Sequence, residues 1–232
     1  MFHGKRSAKI IRLDHKIMSP SYDRHSNFVY KKARGVYLYD LDGHRFLDFA
    51  AGIAVMNAGH SNPDVIAAIK EQLKFGLHAA FPDFYAELPV KFSKHLISFL
   101  PGHLNKVFLS NSGTESVETA FKLARWHSKK KWTVAFTPSF HGRTMGSLSL
   151  TDSKPVAREG FGPFLPVEHA PYPYVYRFKN EDEKECANNS LNAVEKIFAN
   201  HKGNVASIFF EPIAGEAGYI VPPKDFARGL LK

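Results

Sequence analysis

An α/β fold with a mostly parallel sheet is the architecture that this 232-residue sequence predicts. Three features point to it. Short apolar or β-branched runs alternate with helix-period stretches between residues 106 and 210, the order that βαβ units require. One of these runs, residues 106–109, turns through Ser110, Asn111, Ser112 and Gly113 straight into a helix. In that helix Val117, Ala120, Phe121 and Ala124 recur at i, i+3, i+4 and i+7, the spacing of one apolar face that packs on a sheet. Hydrophobic content of 44% with charged content of 23% is that of an ordinary globular chain, long enough for one large core or a core plus a smaller lobe.

Taken in order, residues 7–18 read as a short helix ended by Ser19 and Pro20. GVYLYD and RFLDFA flank Leu41, Asp42, Gly43 and His44, a hairpin with an Asp-Gly turn, so the N-terminal part forms a small antiparallel element. After the Gly- and Ala-rich loop AAGIAVMNAGH, Asn62 caps and Pro63 opens a helix with Val65, Ile66, Ile69 and Leu73 on one side. Leu88, Phe92 and Leu96 mark a further helix, stopped by Pro101 and Gly102. Residues 106–109 read as a buried strand, and 133–136 as another that runs into a loop carrying Phe140, His141, Gly142 and Arg143. GFGPFLPVEHAPYPYVYRF, rich in Pro, Gly and Tyr, reads as an ordered surface loop rather than an element. Leu191, Val194, Ile197 and Phe198 give an amphipathic helix, and residues 206–210 a strand that delivers Glu211 and Pro212 at its carboxyl end. Open α/β sheets place their ligands at that end.

The turn at residues 110–113 carries the most chemistry. The first turn of a helix presents unpaired N–H groups at the positive end of its dipole, which is a ready anion site. Gly113 lets an anion approach the backbone, and the Ser112 and Thr114 hydroxyls can add hydrogen bonds. The same residues also serve as plain helix caps. No Gly-Lys-Ser/Thr follows as in a Walker loop, and the GxGxxG spacing of a dinucleotide fold is absent.

Net charge is +9, but the basic residues are scattered and their one run, Lys129 to Lys131, follows a helix end where cations meet the negative pole of the dipole. No RNP, zinc-finger or helix-turn-helix pattern accompanies it, so no nucleic-acid partner is expected. Twelve histidines form neither HExxH nor a Cys/His cluster, and no metal is assigned. The single Cys186 cannot make an internal disulfide. Without a signal peptide or an apolar run of membrane-spanning length, the expectation is a cytoplasmic protein with no membrane partner.

Four motifs in order, SNSGTESVETAFKLAR, FHGRTMGSLSLT, GFGPF and EPIAGEAG, resemble the class-III family of pyridoxal-phosphate aminotransferases. LDFAAGIAVMNAGH and HAPYPYVYRF look most like its 4-aminobutyrate members, with acetylornithine and ornithine members sharing much of the pattern. The resemblance implies pyridoxal 5'-phosphate as cofactor and a transferase fold of type I. That fold has an α/β/α large domain with a mostly parallel sheet, incomplete here, and a small N-terminal α+β lobe. Residues 1–62 would be the N-terminal segment of the small domain and 63–232 the incomplete cofactor-binding domain. It also implies a homodimer for the full-length protein, acting on an amino acid and a 2-oxo acid.

Carried over by residue, the resemblance puts the cofactor phosphate on Ser112, Gly113 and Thr114, and Phe140 over the pyridine ring with His141 beside it. Glu211 would support the cofactor site. Arg143 would bind a substrate carboxylate, a task suited to its planar fork. Glu216 would be the gating glutamate that pairs with an arginine when no second carboxylate is bound. Ile53 would be an apolar wall where ornithine members carry an aromatic hydroxyl; read without the family, it is a buried side chain. The family's Asp-bearing strand, Schiff-base lysine and second arginine have no counterpart up to Lys232, so they are expected beyond it and the chain as given is expected to be inactive. The alternative is a non-catalytic chain that binds only phosphate or a partner chain.

Overall fold

A computed structural model describes residues 4–22, 24–178 and 182–231. The chain divides into two compact units, Met1–Phe92 and Ser93–Lys232. Lys232, the last residue of the sequence, lies outside the described residues.

In the first unit, α1 (Lys5–Ile17) precedes a three-stranded antiparallel sheet of β1 (Tyr30–Arg34), β2 (Tyr37–Asp40) and β3 (Arg45–Leu47). The expected hairpin is β2–β3, with Leu38 opposite Phe46; β1 adds a strand that the sequence reading passed over. The Asp42 carboxylate of the hairpin turn accepts N–H bonds from Gly4, Arg6 and Ser7 at 3.1, 3.2 and 3.1 Å. A carboxylate thus caps the helix start, where unpaired donors and the dipole both favour it.

A single turn, α2 (Ala51–Ala54), follows β3, with φ of 46°, 61°, 63° and 59° at Ala51, Gly52, Ile53 and Ala54. That is left-handed backbone, which residues with a Cβ adopt only when their surroundings impose it. Asp48 imposes it: its carboxylate accepts from Ala50 and Ala51 N–H at 2.9 and 2.8 Å and pairs with His60 Nε2 at 2.6 Å. The His60 bond, followed by the Ala51 N–H, holds the Asp48 carboxyl below the usual carboxylate range. Helix α3 (Pro63–Leu73) begins as expected, with Asn62 Oδ1 accepting from Asp64 and Val65 N–H. The division between the units falls inside α4 (Glu87–Ile97).

The second unit is an α/β/α sandwich. Helix α5 (Gly113–Ser128) leads to β4 (Trp132–Thr137), then α6 (Met145–Leu150), β5 (Val167–Pro171), α7 (Glu183–Asn200), β6 (Val205–Ile208) and α8 (Lys224–Leu230). The strands lie in the order β5-β4-β6, all parallel. Because successive side chains of a strand point to opposite faces, β4 serves two cores at once. Val134 and Phe136 join Ala187, Val194, Ile197 and Phe226 on the α7/α8 side, while Ala135 joins Phe121 and Leu150 on the α5 side.

Three expectations need correction here. Residues 106–109 are not a buried strand: among the described residues they have no strand partner, and Phe108 is 69% exposed. An apolar run becomes a strand only where a neighbour takes its N–H and C=O groups, and none does. The 160–178 stretch is not all loop, because Val167–Pro171 is β5 and Tyr172 behind it is buried. As an edge strand, β5 tolerates the proline at its end. Residues 145–150, expected as part of the loop after β4, form α6, buried from Gly146 to Leu150. Buried Ser147 and Ser149 hide its helical period.

Phe226, fully buried, sets its ring against Phe136, Tyr172 and Phe210 at centroid distances of 5.3, 5.9 and 6.3 Å and anchors α8 to the sheet. Phe226→Ala should therefore destabilise the second unit by about 3–5 kcal/mol. A shift in urea midpoint worth less than about 1 kcal/mol, a loss typical of substitutions outside such cores, would show that α8 is not part of this core.

Candidate functional site

Three segments meet at the carboxyl end of the sheet: the start of α5, the loop between β4 and α6, and the segment after β6. Glu211 joins two of them. Its Oε1 accepts the Phe140 N–H at 2.8 Å and its Oε2 the Gly215 N–H at 2.9 Å, while its carbonyl accepts the Tyr172 hydroxyl at 2.8 Å. The third joins through Gly142, whose φ of 130° suits glycine; a Cβ there would fall onto the Thr114 and Ser147 hydroxyls.

The start of α5 leaves three donors free. Ser112 Oγ accepts from Glu115 N–H at 3.3 Å, and Glu115 Oε2 reaches back to Asn111 N–H at 2.6 Å, an arrangement that satisfies the Glu115 and Asn111 amides. Thr114 Oγ1 is engaged with Thr144 Oγ1 at 3.0 Å and Ser147 Oγ at 2.5 Å. What remains without a hydrogen bond among the described residues is the N–H run of Ser112, Gly113 and Thr114. A Cβ on Gly113 would meet nothing within 4 Å, so no packing inside the chain accounts for a glycine there. An external group lying against the backbone does account for it. Three consecutive free N–H donors at a helix N-terminus beside a bare Cα fit a phosphate.

Around this turn, Phe140 is half-buried and tied to Glu211, and His141 N–H donates to Thr151 Oγ1 at 2.9 Å. The His141 ring packs edge-on to Phe209 at 6.2 Å, with a buried Nε2 that has no hydrogen-bond partner. Burial pushes the His141 imidazole below the ordinary histidine range; nearby Glu211 opposes this and His169 adds to it. A neutral ring with an unused nitrogen can offer or accept one hydrogen bond inside the pocket. Tyr172 is pushed up to about 12 by burial and then by the charge of Glu211, so it stays a hydroxyl donor.

Arg143 is exposed and forms no ion pair among the described residues. Glu216 pairs with Lys154 Nζ at 2.7 Å. Burial raises the Glu216 carboxyl, but hydrogen bonds from Lys154 and Ser153 outweigh it and leave the group lowered. The structure thus brings together Ser112, Gly113, Thr114, Phe140, His141, Arg143 and Glu211, with Glu216 in the same unit. Ile53 belongs to the other unit and is 88% exposed on the left-handed turn, not a buried side chain. The sequence reading missed Glu118, Thr144 and Ser147, which link α5 to α6. The signal was a Thr and a Ser three apart at the start of an unrecognised helix, a reciprocal cap in the structure.

The class-III aminotransferase pattern, "Aminotransferase class-III", matches residues 17–232. A probable 4-aminobutyrate aminotransferase of Bacillus subtilis is 38% identical over 202 residues, covering 85% of this chain and 46% of that protein. An acetylornithine aminotransferase of Methanopyrus kandleri is 41% identical over 197 residues, covering 84% and 45%. Among solved structures, the taurine:2-oxoglutarate aminotransferase of Bifidobacterium kashiwanohense, in complex with PLP and glutamate, superposes with a TM-score of 0.88 at 26% identity, covering 99% of this chain and 53% of that one. The chain therefore spans about half the length of the relatives it matches. Its sandwich is an incomplete fold-type-I transferase domain, and the chain belongs to the class-III aminotransferase family.

Proposed function

We propose that this chain supplies the phosphate- and ring-binding part of a pyridoxal-phosphate aminotransferase that moves an amino group from an ω-amino acid such as 4-aminobutyrate to 2-oxoglutarate. The observation that carries the reading is the run of free N–H groups of Ser112, Gly113 and Thr114 beside an open glycine face, where three segments meet. Ser112, Gly113 and Thr114 would hold the phosphate. Phe140 would cover one face of the ring, His141 would line the pocket with its neutral imidazole, and Glu211 would keep the Phe140 loop in place. Pyridoxal phosphate, when bound, supplies an electron sink for amino-acid chemistry.

The unpaired Arg143 guanidinium would take a substrate carboxylate in a bidentate grip. Glu216, drawn to Lys154 here, would gate the second carboxylate, and Ile53 would present an apolar wall to the amino donor. Residues 63–232 would belong to the large domain of a cytoplasmic homodimer. The acetylornithine relative, 41% identical, supports a second reading in which the donor is acetylornithine or ornithine. Among the lysines of this sequence none lies in the family's lysine motif, so the 232 residues by themselves are proposed to be inactive.

If the turn holds phosphate, inorganic phosphate or pyridoxal phosphate should slow hydrogen exchange at residues 112–116. Gly113→Val, which places two methyl groups over the free amides, should abolish that protection; equal protection in the variant would rule out the turn. In an enzyme carrying this chain together with the family's remaining half, Arg143→Ala should cost about 2–5 kcal/mol in kcat/KM by stranding a carboxylate. Unchanged kcat/KM for both amino donor and 2-oxoglutarate would make Arg143 a surface residue only. For the chain by itself, borohydride reduction with pyridoxal phosphate should yield no single, stoichiometrically labelled lysine and no glutamate from 4-aminobutyrate. Such a lysine together with turnover would overturn the proposed inactivity.

A further inference from the structure

Glu118 sits one turn into α5, after the free amides, and ties them to the opposite side of the site. Its Oε1 accepts the Thr144 hydroxyl at 2.5 Å and the Ser147 N–H at 2.9 Å. The Thr144 and Ser147 hydroxyls in turn reach Thr114 Oγ1 at 3.0 and 2.5 Å, and Thr144 N–H donates to Ser147 Oγ at 3.1 Å. A closed set of hydrogen bonds therefore connects one carboxylate, three hydroxyls and two amides. The fit is also steric, since a Cβ at Gly146 would collide with the Glu118 carboxylate.

Two consequences follow from where this network lies. It fixes the first turn of α5 against residues 142–147, and so fixes the free amides of Gly113 and Thr114 relative to Arg143, the residue just before Thr144. It also satisfies the Ser147 N–H at the start of α6, so that donor is not open to an outside anion. A negative charge this close to an anion site opposes anion binding by plain Coulomb repulsion. Charge therefore gives no reason for a glutamate at this place, whereas its hydrogen bonds do.

We propose that Glu118 is a positioning residue: it sets the distance between the phosphate-binding turn and the carboxylate-binding loop by holding α5 to α6. This rests on the phosphate reading given above. Glutamine keeps an acceptor oxygen for both donors and drops the charge, whereas alanine removes the acceptor. Glu118→Gln should therefore bind pyridoxal phosphate as tightly as the parent chain or more tightly, and Glu118→Ala should bind about tenfold or more weakly, the effect of losing a hydrogen bond to a charged group.

The test is a titration of the 232-residue chain and both variants with pyridoxal phosphate, with inorganic phosphate as competitor, together with hydrogen exchange of the ligand-free proteins. Exchange at Ser147 and Leu148 should quicken in Glu118→Ala and return to the parent rate in Glu118→Gln. If Glu118→Ala binds as the parent does and only its unfolding midpoint falls, the residue is structural and the proposal is wrong. If Glu118→Gln is as weak as Glu118→Ala, hydrogen-bonded positioning is wrong too. Should Glu118→Ala fail to fold, Thr144→Val removes one of the two hydrogen bonds that Glu118 Oε1 accepts, leaves the charge and the Ser147 N–H bond in place, and should weaken binding in the same direction by a smaller factor; parent-like binding overturns the proposal. If the parent binds neither ligand, the phosphate reading fails. The exchange rates then decide by themselves whether Glu118 holds the two segments: rates equal in all three proteins overturn that, and loss with rescue by glutamine upholds it.

Discussion

The carboxylate of Glu211 is the interaction on which the site depends. One side chain, delivered where β6 ends, spends an oxygen on each of two loops, Phe140 N–H and Gly215 N–H. Loop backbones at the open edge of a sheet have no ladder to join, so each such amide needs a partner from elsewhere. A charged acceptor supplies it more strongly than a neutral one. The Tyr172 hydroxyl then fixes the backbone of Glu211 itself, and the charge it faces is part of why that phenol does not ionise. Without this carboxylate the loop after β4 and the loop after β6 would have no common anchor.

Beneath those loops lies a sheet that is buried on both faces. Val134 and Phe136 look one way and Ala135 the other, each into its own apolar cluster, so β4 cannot tilt without disturbing packing on both sides. A rigid strand carrying loops with free donors is the arrangement that lets binding residues vary while their spacing does not. The first unit solves a similar problem by other means. There the Asp48–His60 pair holds a left-handed turn, and the strain at Ala51, Ile53 and Ala54 is balanced by three hydrogen bonds to one carboxylate.

What could be read from the sequence follows a physical rule. Elements with their own local signal were legible: α5 by its apolar period and the Ser112 cap, α3 by Asn62 and Pro63, the β2–β3 hairpin by Asp42 and Gly43. The unpaired donors of the α5 turn were also legible, because helix termini expose such groups wherever they occur. Elements specified by distant partners were not. β5 exists because β4 pairs with it, and its prolines disguise it; α6 exists because Glu118 caps it from another helix. Residues 106–109 failed in the opposite sense, having the composition of a strand and no neighbour to pair with. The Thr144 and Ser147 hydroxyls escaped notice for the same reason, since their meaning lies in Thr114 and Glu118, far away in the chain.

The strand order β5-β4-β6 has a consequence for the growing polypeptide on the ribosome. The central strand β4 is made first, while its neighbours follow only after α6 and then after α7 have been synthesised. Until Val205 and the residues after it emerge, the β6 flank of Val134, Ala135 and Phe136 stays open, although α5, α6 and α7 are already there to cover the two faces. Parallel pairing across such sequence gaps is slow, and nascent chains in this state expose apolar surface. The β6 edge of β4 is therefore the last part of this sheet to be paired as the chain is made.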